Sequence, residues 1–370
     1  MVNYLVFLTI STGIFAIFAL GLNIQWGYTG LINFGHVAFM TMGAYTTILL
    51  SINGVPLFLA AIAGSLLAML LGLLIGLSTL RLREDYLAIV TIGVSELLRL
   101  IALNEEWLTR GAFGLQSYPL PLGDFNPNWL SKGTMIAILS AIALLGIWQL
   151  ARGIQREINA RKEKRGEKIR FPLDLGIWTV VALLVGGLIY VNGIIALINY
   201  NYKSGLMLLI LITLAVLYVV VERLARSPWG RVLKAIRENE QVPRALGKDV
   251  FWYKLQAFML GGAIAGIAGA FYAWQLTAIY PSNFQPIISF YAWTIVVLGG
   301  AGNNGGVLLG TVIFWAYESL TRFVLPALDW IDDTRIGAFR ILVIGLILMI
   351  LMVSRPQGIL GKKEELTLGR

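Results

Sequence analysis

Long apolar segments alternate with short polar ones along nearly the whole chain. The apolar segments fall at about 3–24, 30–50, 56–79, 86–103, 133–151, 175–196, 204–222, 255–276, 287–303, 305–325 and 337–353. Most are close to the ~20 residues that an α-helix needs to cross the hydrocarbon core of a bilayer. The pattern therefore predicts an all-α, polytopic membrane helix bundle of about ten transmembrane helices, folded as one transmembrane domain over residues 1–370.

Two of the segments depart from an ordinary span. Segment 86–103 carries Glu96 and Arg99, and segment 287–303 is short and runs into a glycine-rich string that ends at Gly306. Irregular backbone at membrane depth is tolerated only where protein buries it or water lines it. Both segments are therefore candidates for broken or re-entrant helices.

The composition supports a membrane protein and narrows its chemistry. Hydrophobic residues make up 58% of the chain and charged residues 13%, against about 25% charged residues in soluble domains. The chain has no cysteine and one histidine, His36. This excludes disulfides, Cys-ligated metals and thiol catalysis and disfavours a His-based metal centre, so we expect no metal and no cofactor bound by this chain.

The basic residues indicate how the bundle is oriented. Loops 81–85, 151–173, 223–254 and 354–370 hold 22 of the 29 Lys and Arg residues, and the opposite loops hold few. Because cytoplasmic loops carry the excess of Lys and Arg, these four segments are predicted to be cytoplasmic, the C-terminus included. Segment 151–173 is then a charged cytoplasmic insert, interpreted as a solvated linker attracted to anionic headgroups. The external 104–131 segment is proline-rich and predicts an ordered outer cap.

The 223–254 loop is the most informative part of the chain. Ser227 followed by Pro228 predicts a helix N-cap with proline at the first helical position. The helix should end near Asn239, and Pro243 should open a second short turn that Gly247 closes. A simple connector between two spans does not need this organisation.

Two interpretations of this helix–turn–helix remain open from composition alone. It is either a docking element that presents Arg237, Glu238 and Asn239 to a groove on a soluble partner, or an amphipathic helix on the membrane surface. Basic residues at Arg231, Lys234 and Arg237 would suit the second interpretation as well.

Several stretches resemble the LivM family, the inner-membrane permeases of branched-chain amino acid ABC importers. They are Gly21–Leu50, Arg81–Leu98, AIRENEQVPRALGKDV at 235–250, VLGGAGNNGGVLLGT at 297–311 and RPQGILG at 355–361. They occur in the order of that family and cover nearly the whole chain. The charged 152–170 insert is longer than is typical of the family, so no role is transferred to it.

The resemblance implies a permease subunit of the bacterial inner membrane and a set of partners. These are a LivH-type permease subunit, two cytoplasmic ATPase subunits that use ATP and Mg, and an extracytoplasmic substrate-binding protein. It also implies that 223–254 is the ATPase-coupling loop, with Ala235, Arg237, Glu238, Asn239, Arg244 and Gly247 as coupling residues. The chain has no GxxxxGK[ST] loop and no catalytic set at usable spacing, so we expect a transport subunit and not an enzyme.

Glycine motifs in the apolar segments have a packing interpretation. Gly300–Gly305 matches GxGxxG, but membrane-length apolar runs flank it, so a tight turn between two spans is favoured over a dinucleotide site. Gly262-xxx-Gly266 and Gly306-xxx-Gly310 allow close helix approach, with pore lining as the alternative.

Polar residues within apolar runs are candidates for the translocation path, because burying them in a membrane is costly. The candidates are Asn33, His36, Tyr45, Glu96, Arg99, Asn303 and Glu318. Glu96 and Arg99 are spaced to pair on one helix face, either for self-neutralisation or for substrate gating, and Glu318 has Arg322 as a partner at i+4. Asn33, His36 and Tyr45 are expected to share one helical stripe, with a satisfied buried histidine as the simpler interpretation of His36.

Three functions stay in competition. The leading one is import of branched-chain or other neutral or hydrophobic amino acids. A urea or short-chain amide permease would share the same loops. An ATP-independent secondary transporter would need intramembrane acids for ion coupling, for which Glu96 and Glu318 are candidates, but it leaves the helix–turn–helix unexplained.

Overall fold

The structure is a computed structural model that describes residues 2–81, 84–165, 173–325, 333–354 and 357–361. These residues are almost entirely helical, which confirms the predicted all-α polytopic bundle. The helices are α1 Val2–Leu22, α2 Val37–Ile52, α3 Leu57–Thr79, α4 Glu84–Asn104, α5 Glu106–Thr109, α6 Trp129–Arg165, α7 Leu173–Ile198, α8 Tyr202–Arg226, α9 Pro228–Glu238, α10 Gln241–Ala245, α11 Val250–Leu276, α12 Ile287–Gly299, α13 Asn304–Val324 and α14 Asp333–Ser354. A π-helix, Asn23–Tyr28, continues α1, and Gly111–Phe113 and Pro281–Phe284 form 3-10 turns.

Helix length separates full spans from shorter ones. Within the described residues, seven helices are long and apolar enough to cross a membrane. Val37–Ile52 is a shorter apolar helix, and α7 and α14 contain the shorter apolar segments Leu183–Ile198 and Gly337–Leu346. Segment 86–103 lies in one uninterrupted helix, α4, so the expectation of a break there is wrong. Helix α12 has 13 residues and ends at Gly299. At 1.5 Å per residue its length is about 20 Å, which is too short for a full span.

The main interruption is longer than the apolar pattern indicates, because segments 3–24 and 30–50 leave only a short gap between them. After α1, the backbone passes through the π-helix Asn23–Tyr28 and then through non-helical residues 29–36 before α2 begins at Val37. The buried stretch 23–36 is called the helix break below. Because such backbone is tolerated at membrane depth only inside protein or along a cavity, the break is the first place to look for a functional site.

The chain divides into two compact units. The first comprises residues 1–10 and 121–215, with a core of Met135, Leu139, Leu197 and Leu208. In this unit α6 continues as a helix through Arg165, so the start of the charged insert is helical. Residues 166–172 of the insert lie outside the described residues.

The second unit comprises residues 11–120 and 216–370. At its centre α2, α3 and α11 approach so closely that backbone contacts backbone. A Cβ on Gly266 would lie 2.7 Å from the Ala68 Cβ atom, and one on Gly262 would lie 3.2 Å from the Ala68 carbonyl oxygen. Helices α12 and α13 are equally close, because a Cβ on Gly310 would lie 2.9 Å from the Gly299 nitrogen. The predicted packing role of these glycines is confirmed.

Residues 104–120 form an ordered cap on the same unit. Strand β1, Leu115–Gln116, pairs antiparallel with β2, Ala278–Ile279, and the Gln116 amide donates to the Tyr280 hydroxyl at 2.8 Å. The buried Tyr118 hydroxyl donates to the Ala273 carbonyl at 2.5 Å, and burial raises the pKa of this phenol. The cap is therefore fixed to the end of α11.

A valine at Gly266 is expected to destabilise the protein by about 1–3 kcal/mol, because the added side chain overpacks the contact with α3. The matched control is Gly146→Val in α6, where an added Cβ meets nothing within 4 Å. Thermal unfolding in one detergent should give a lower midpoint for Gly266→Val than for Gly146→Val. Equal midpoints would contradict the packing role.

Candidate functional site

The 226–250 segment folds as its sequence predicts. The Ser227 hydroxyl oxygen accepts the Gly230 N–H at 3.4 Å, Pro228 is the first residue of α9, and Asn239 is the extended C-cap. Gly247 adopts φ +71°, which closes α10. Here the Lys248 N–H bonds to the Pro243 carbonyl and the Gly247 N–H to the Arg244 carbonyl, both at 3.0 Å, which is a Schellman motif.

One detail of the second helix differs from expectation. Helix α10 begins at Gln241, so Pro243 lies within it and does not open it. The helix has only five residues, and the first N–H groups of any helix have no intrahelical acceptor. A proline is therefore tolerated here without a lost hydrogen bond.

The apolar face of α9 is covered by the chain itself. Leu233 and Ile236 are buried, with exposures of 1% and 2%. A helix on the membrane surface would need this face for lipid. The structure thus removes the basis for the membrane-surface interpretation of α9.

The opposite side of the segment is open to solvent. Four of the predicted coupling residues, Glu238, Asn239, Arg244 and Gly247, are exposed, and Ala235 is half-buried. Val242 in α10 and Leu246, the residue after this helix, are apolar but exposed, by 53% and 75%. They make a mixed polar and apolar surface, which we call the docking surface.

Arg237 does not belong to the docking surface. Its guanidinium Nη1 donates to the Gly27 carbonyl oxygen in the helix break at 2.6 Å. The Lys234 ammonium lies 5.5 Å from the centre of the Tyr28 ring, in cation–π range. Lys254 of α11 forms an ion pair with Glu240. These contacts fix the segment to the membrane-embedded helices.

Side-chain amides satisfy the polar groups of the helix break. The Gln25 amide donates to the Phe258 carbonyl at 2.8 Å, and the Asn33 amide donates to Gln25 Oε1 at 2.8 Å. Asn33 Oδ1 accepts the Gly35 N–H at 3.0 Å, and its backbone carbonyl accepts the Trp293 indole N–H at 2.9 Å. Gln25 and Asn33 are fully buried, so the amides take the place of water.

A second buried network joins the break to three other elements. The Asn23 amide donates to Asn304 Oδ1 at 3.0 Å, and Asn23 Oδ1 accepts the Gly302 N–H at 2.9 Å. The Asn304 amide then donates to the Glu222 carboxylate at 2.9 Å. Glu222 also forms an ion pair with Arg226, the last residue of α8. The Glu222–Arg226 ion pair and the two neutral amides thus supply hydrogen-bond partners to one another.

His36 and Tyr45 are buried, but they do not form the predicted stripe with Asn33. Asn33 and His36 precede α2, so helical spacing does not relate them to Tyr45. His36 Nε2 lies 3.1 Å from the Phe18 carbonyl. Within the described part of the chain, His36 Nδ1 and the Tyr45 hydroxyl have no hydrogen-bond partner.

The two predicted ion pairs are present. The Arg99 guanidinium contacts both Glu96 carboxylate oxygens, at 2.9 and 2.5 Å, and their side chains are 21% and 39% exposed. Arg322 Nη2 lies 3.8 Å from Glu318 Oε1. Both acids are therefore neutralised by a neighbour on their own helix.

Asn303 has a local role in the glycine-rich turn. Its side-chain oxygen accepts the Gly306 N–H at 3.1 Å and caps α13, while its amide donates to the Leu360 carbonyl at 2.8 Å. The turn joins two helices, as expected, and no strand precedes it. Among the described residues, His, Asp and Glu side chains form no group of three that could hold a metal ion.

Four buried-network residues were not selected from the sequence. They are Asn23, Gln25, Glu222 and Asn304. The available signal was an amide or carboxylate within or beside an apolar run. It was overlooked because these residues lie near the ends of the runs, where polar side chains are ordinary.

Comparison with known proteins gives a consistent result. The family model described as branched-chain amino acid transport system / permease component matches residues 4–352. The chain is 29% identical to the high-affinity branched-chain amino acid transport system permease protein LivM of Escherichia coli K12, over 94% of this chain and 68% of that protein. It is 24% identical to a probable LivM of Methanocaldococcus jannaschii, over 96% and 92%. A probable LivH of that archaeon is 29% identical over 44% of this chain and 50% of its own. No solved structure matches the chain.

Asn23→Leu is expected to lower the stability of the bundle, because the Gly302 N–H and Asn304 lose their buried partner. Each unsatisfied group costs about 1–3 kcal/mol. The control is Asn192→Leu, since the exposed Asn192 amide bonds only to the Leu188 carbonyl of its own helix. Thermal unfolding midpoints of the two variants provide the measurement, and an unchanged midpoint for Asn23→Leu would show that the network does not hold the break.

Proposed function

Because the chain belongs to the family of branched-chain amino acid transport permease components, we propose that it is the permease subunit of an ATP-driven importer. Its substrates are branched-chain or other neutral, hydrophobic amino acids. The observation that carries the proposal is the 226–250 segment, a capped helix–turn–helix fixed to the bundle on one side and exposed on the other. A channel or an ion-coupled transporter has no use for such an element.

The docking surface receives the ATPase. Glu238, Asn239 and Arg244 supply exposed polar groups, and Val242 and Leu246 supply the apolar contacts that anchor an interface. Ala235 and Gly247 have small side chains that let the ATPase backbone come close. The buried face of α9 supports this arrangement, because a helix seated on its own protein can transmit a push.

Separate subunits supply what this chain lacks. Its sequence has no Walker A loop, so ATP and Mg are bound by two cytoplasmic ATPase subunits. A second permease subunit of the LivH type completes the membrane part, and the partial similarity of LivH proteins to this chain supports two related halves. An extracytoplasmic binding protein delivers the amino acid.

The membrane arrangement follows the positive-inside rule. The docking surface, the 151–173 insert and the C-terminus face the cytoplasm of a bacterial cell, and the chain lies in the inner membrane. The cap at 104–120 then faces the binding protein. Its fixation to α11 supports this, because a loaded binding protein needs a firm surface on which to dock.

The translocation path passes the helix break. Asn33 and His36 lie within the break. So do Trp26 and Phe34, whose rings pack against Trp293 of α12, and the Trp26 and Trp293 rings are centred 4.4 Å apart. Such a lining suits an amino acid with an apolar side chain.

Five further residues complete the proposed path region. Tyr45 adds a buried hydroxyl, and Asn303 holds the adjoining turn. Glu96, paired with Arg99, and Glu318 are gating candidates, because an ion pair can open and re-form as helices move.

Transport follows from these placements. The loaded binding protein docks on the outer face, and ATP-driven closure of the ATPase dimer pushes on the 226–250 segment. The helices rock between outward-open and inward-open states, and release follows ATP hydrolysis. ATP is coupled to the solute because each binds one of the two states better.

The substrate class is tested with the purified permease, its partner subunits and the cognate binding protein in vesicles. ATP-dependent uptake of labelled leucine should fall at least about tenfold when unlabelled isoleucine or valine is present at saturating excess, since competitors occupy one site by mass action. Urea and acetamide at the same concentration should have no effect. Inhibition by urea with no inhibition by isoleucine would assign the chain to the amide permeases.

ATPase docking is tested by Glu238→Lys, a charge reversal on the docking surface. Transport-coupled ATP hydrolysis should fall at least about tenfold, with the chain still folded, because reversing an interface charge costs several kcal/mol. The control is Asp124→Lys, an exposed acid that lies outside both the docking surface and the cap at 104–120. Co-purification of the ATPase should be lost in the first variant and kept in the second. Equal ATPase recovery and hydrolysis in both variants would rule out docking at this surface.

A further inference from the structure

Both ends of α9 are connected to the helix break. At its C-terminal end, Arg237 Nη1 donates to the Gly27 carbonyl at 2.6 Å. Just before its N-terminal end, Arg226 is paired with Glu222, which accepts from the Asn304 amide, and Asn304 in turn accepts from Asn23. Asn23 and Gly27 lie in the same π-helix. Together with the backbone of α9 and of the π-helix, these hydrogen bonds and this ion pair form a closed ring, which we call the latch ring.

The π-helix supplies the acceptor that the latch ring needs. Carbonyl groups in the last turn of a helix have no intrahelical partner, and the partial negative charge there attracts a cation. Gly27 lies in this last turn, and the half-buried Arg237 supplies both the donor and the charge. Charge-assisted bonds of this kind are roughly twice as strong as neutral ones.

Close packing makes the latch ring stiff. An added Cβ on Gly27 would lie 2.6 Å from the Gly302 nitrogen, so the π-helix rests directly on the glycine-rich turn. On Gly30 it would lie 3.5 Å from the Arg237 Cγ atom. Asn23 and Asn304 are buried, with exposures of 0% and 1%. At these two positions a displacement cannot be absorbed by a side chain swinging into solvent, whereas the Glu222–Arg226 pair is more open, with side-chain exposures of 25% and 54%.

We infer that the latch ring transmits movement of the 226–250 segment to the helix break, and that Arg237 is the positioning residue that makes the connection. The inference rests on the proposed function, and it assigns Arg237 a role different from docking. Arg237 faces the break while its neighbours Glu238 and Asn239 face solvent. When the ATPase dimer closes, α9 moves, and the Gly27 end of the π-helix moves with it.

The test uses the absence of cysteine in the chain, which makes one introduced thiol an unambiguous reporter. Thr29→Cys places it at the end of the π-helix, where the native hydroxyl is buried and donates to the Ile24 carbonyl at 2.7 Å. The full transporter with its ATPase subunits is assembled in nanodiscs. The rate of alkylation by a small water-soluble thiol reagent is measured without nucleotide and with a non-hydrolysable ATP analogue.

With Arg237 present, the analogue should change the alkylation rate at least about fivefold, the lower end of allosteric coupling. In Arg237→Met the nucleotide effect on the alkylation rate should fall below about twofold. The ATPase should still bind and hydrolyse ATP, so fewer amino acids should be moved for each ATP hydrolysed. Arg237→Lys, which keeps one charged donor for Gly27, should restore most of the change. Arg231→Met removes an exposed charge from the same helix and should behave as the unaltered chain.

The outcomes separate the two proposals. Recovery of the transporter without ATPase subunits, even with the unaltered chain, would overturn the proposed function and the latch inference with it. Normal ATPase binding together with an undiminished nucleotide effect in Arg237→Met would overturn the latch inference alone. A loss in Arg237→Met that Arg237→Lys does not repair would also contradict it, because bulk packing would then be responsible.

Discussion

The replacement of backbone hydrogen bonds by buried side-chain amides at the helix break is the interaction on which the rest of this structure depends. Inside a bilayer, an unsatisfied N–H or C=O group costs several kcal/mol, so a helix cannot simply stop there. Asn33 Oδ1 accepts a backbone N–H of the break itself, that of Gly35, while Gln25 and Asn23 bond to groups of the surrounding elements. These bonds join α11 and α13 to the break, and the Trp293 indole joins α12 through the Asn33 carbonyl.

This constraint places the coupling segment and the candidate path next to each other. The π-helix that ends α1 contacts Arg237 and Lys234 on one side, and residues 29–36 lead to His36 on the other. A continuous helix would offer no free carbonyl to Arg237. The same irregularity therefore provides both an attachment for α9 and a buried polar region, of the kind that transporters with broken helices use for solute.

Much of the fold followed from the sequence because the relevant signals are local. Apolar runs of the spanning length became helices, and the cap residues Ser227 and Gly247 marked where α9 begins and α10 ends. Glu96 and Arg99 were paired correctly from their spacing alone. That pairing also explains why α4 is continuous, since a neutralised pair does not force a helix to break.

The helix break and its networks could not be predicted because their signals are not local. Asn23 bonds to Asn304 across 281 positions, and Gln25 bonds to Phe258 across 233. Periodicity reports which side of an element is apolar, and it says nothing about the partner of a single amide. The stripe predicted for Asn33, His36 and Tyr45 was wrong for the same reason, because it assumed helical backbone through residues that the amides hold in another conformation.

On the proposed function, the permease moves its solute only when separate subunits hydrolyse ATP. This dependence is measured as uptake into vesicles that contain the assembled transporter, first with ATP on the ATPase side and no ion gradient, and then with a proton or sodium gradient and no ATP. Uptake is expected in the first condition, and none above background in the second. Gradient-driven uptake at the same rate, with the ATPase subunits removed, would contradict it.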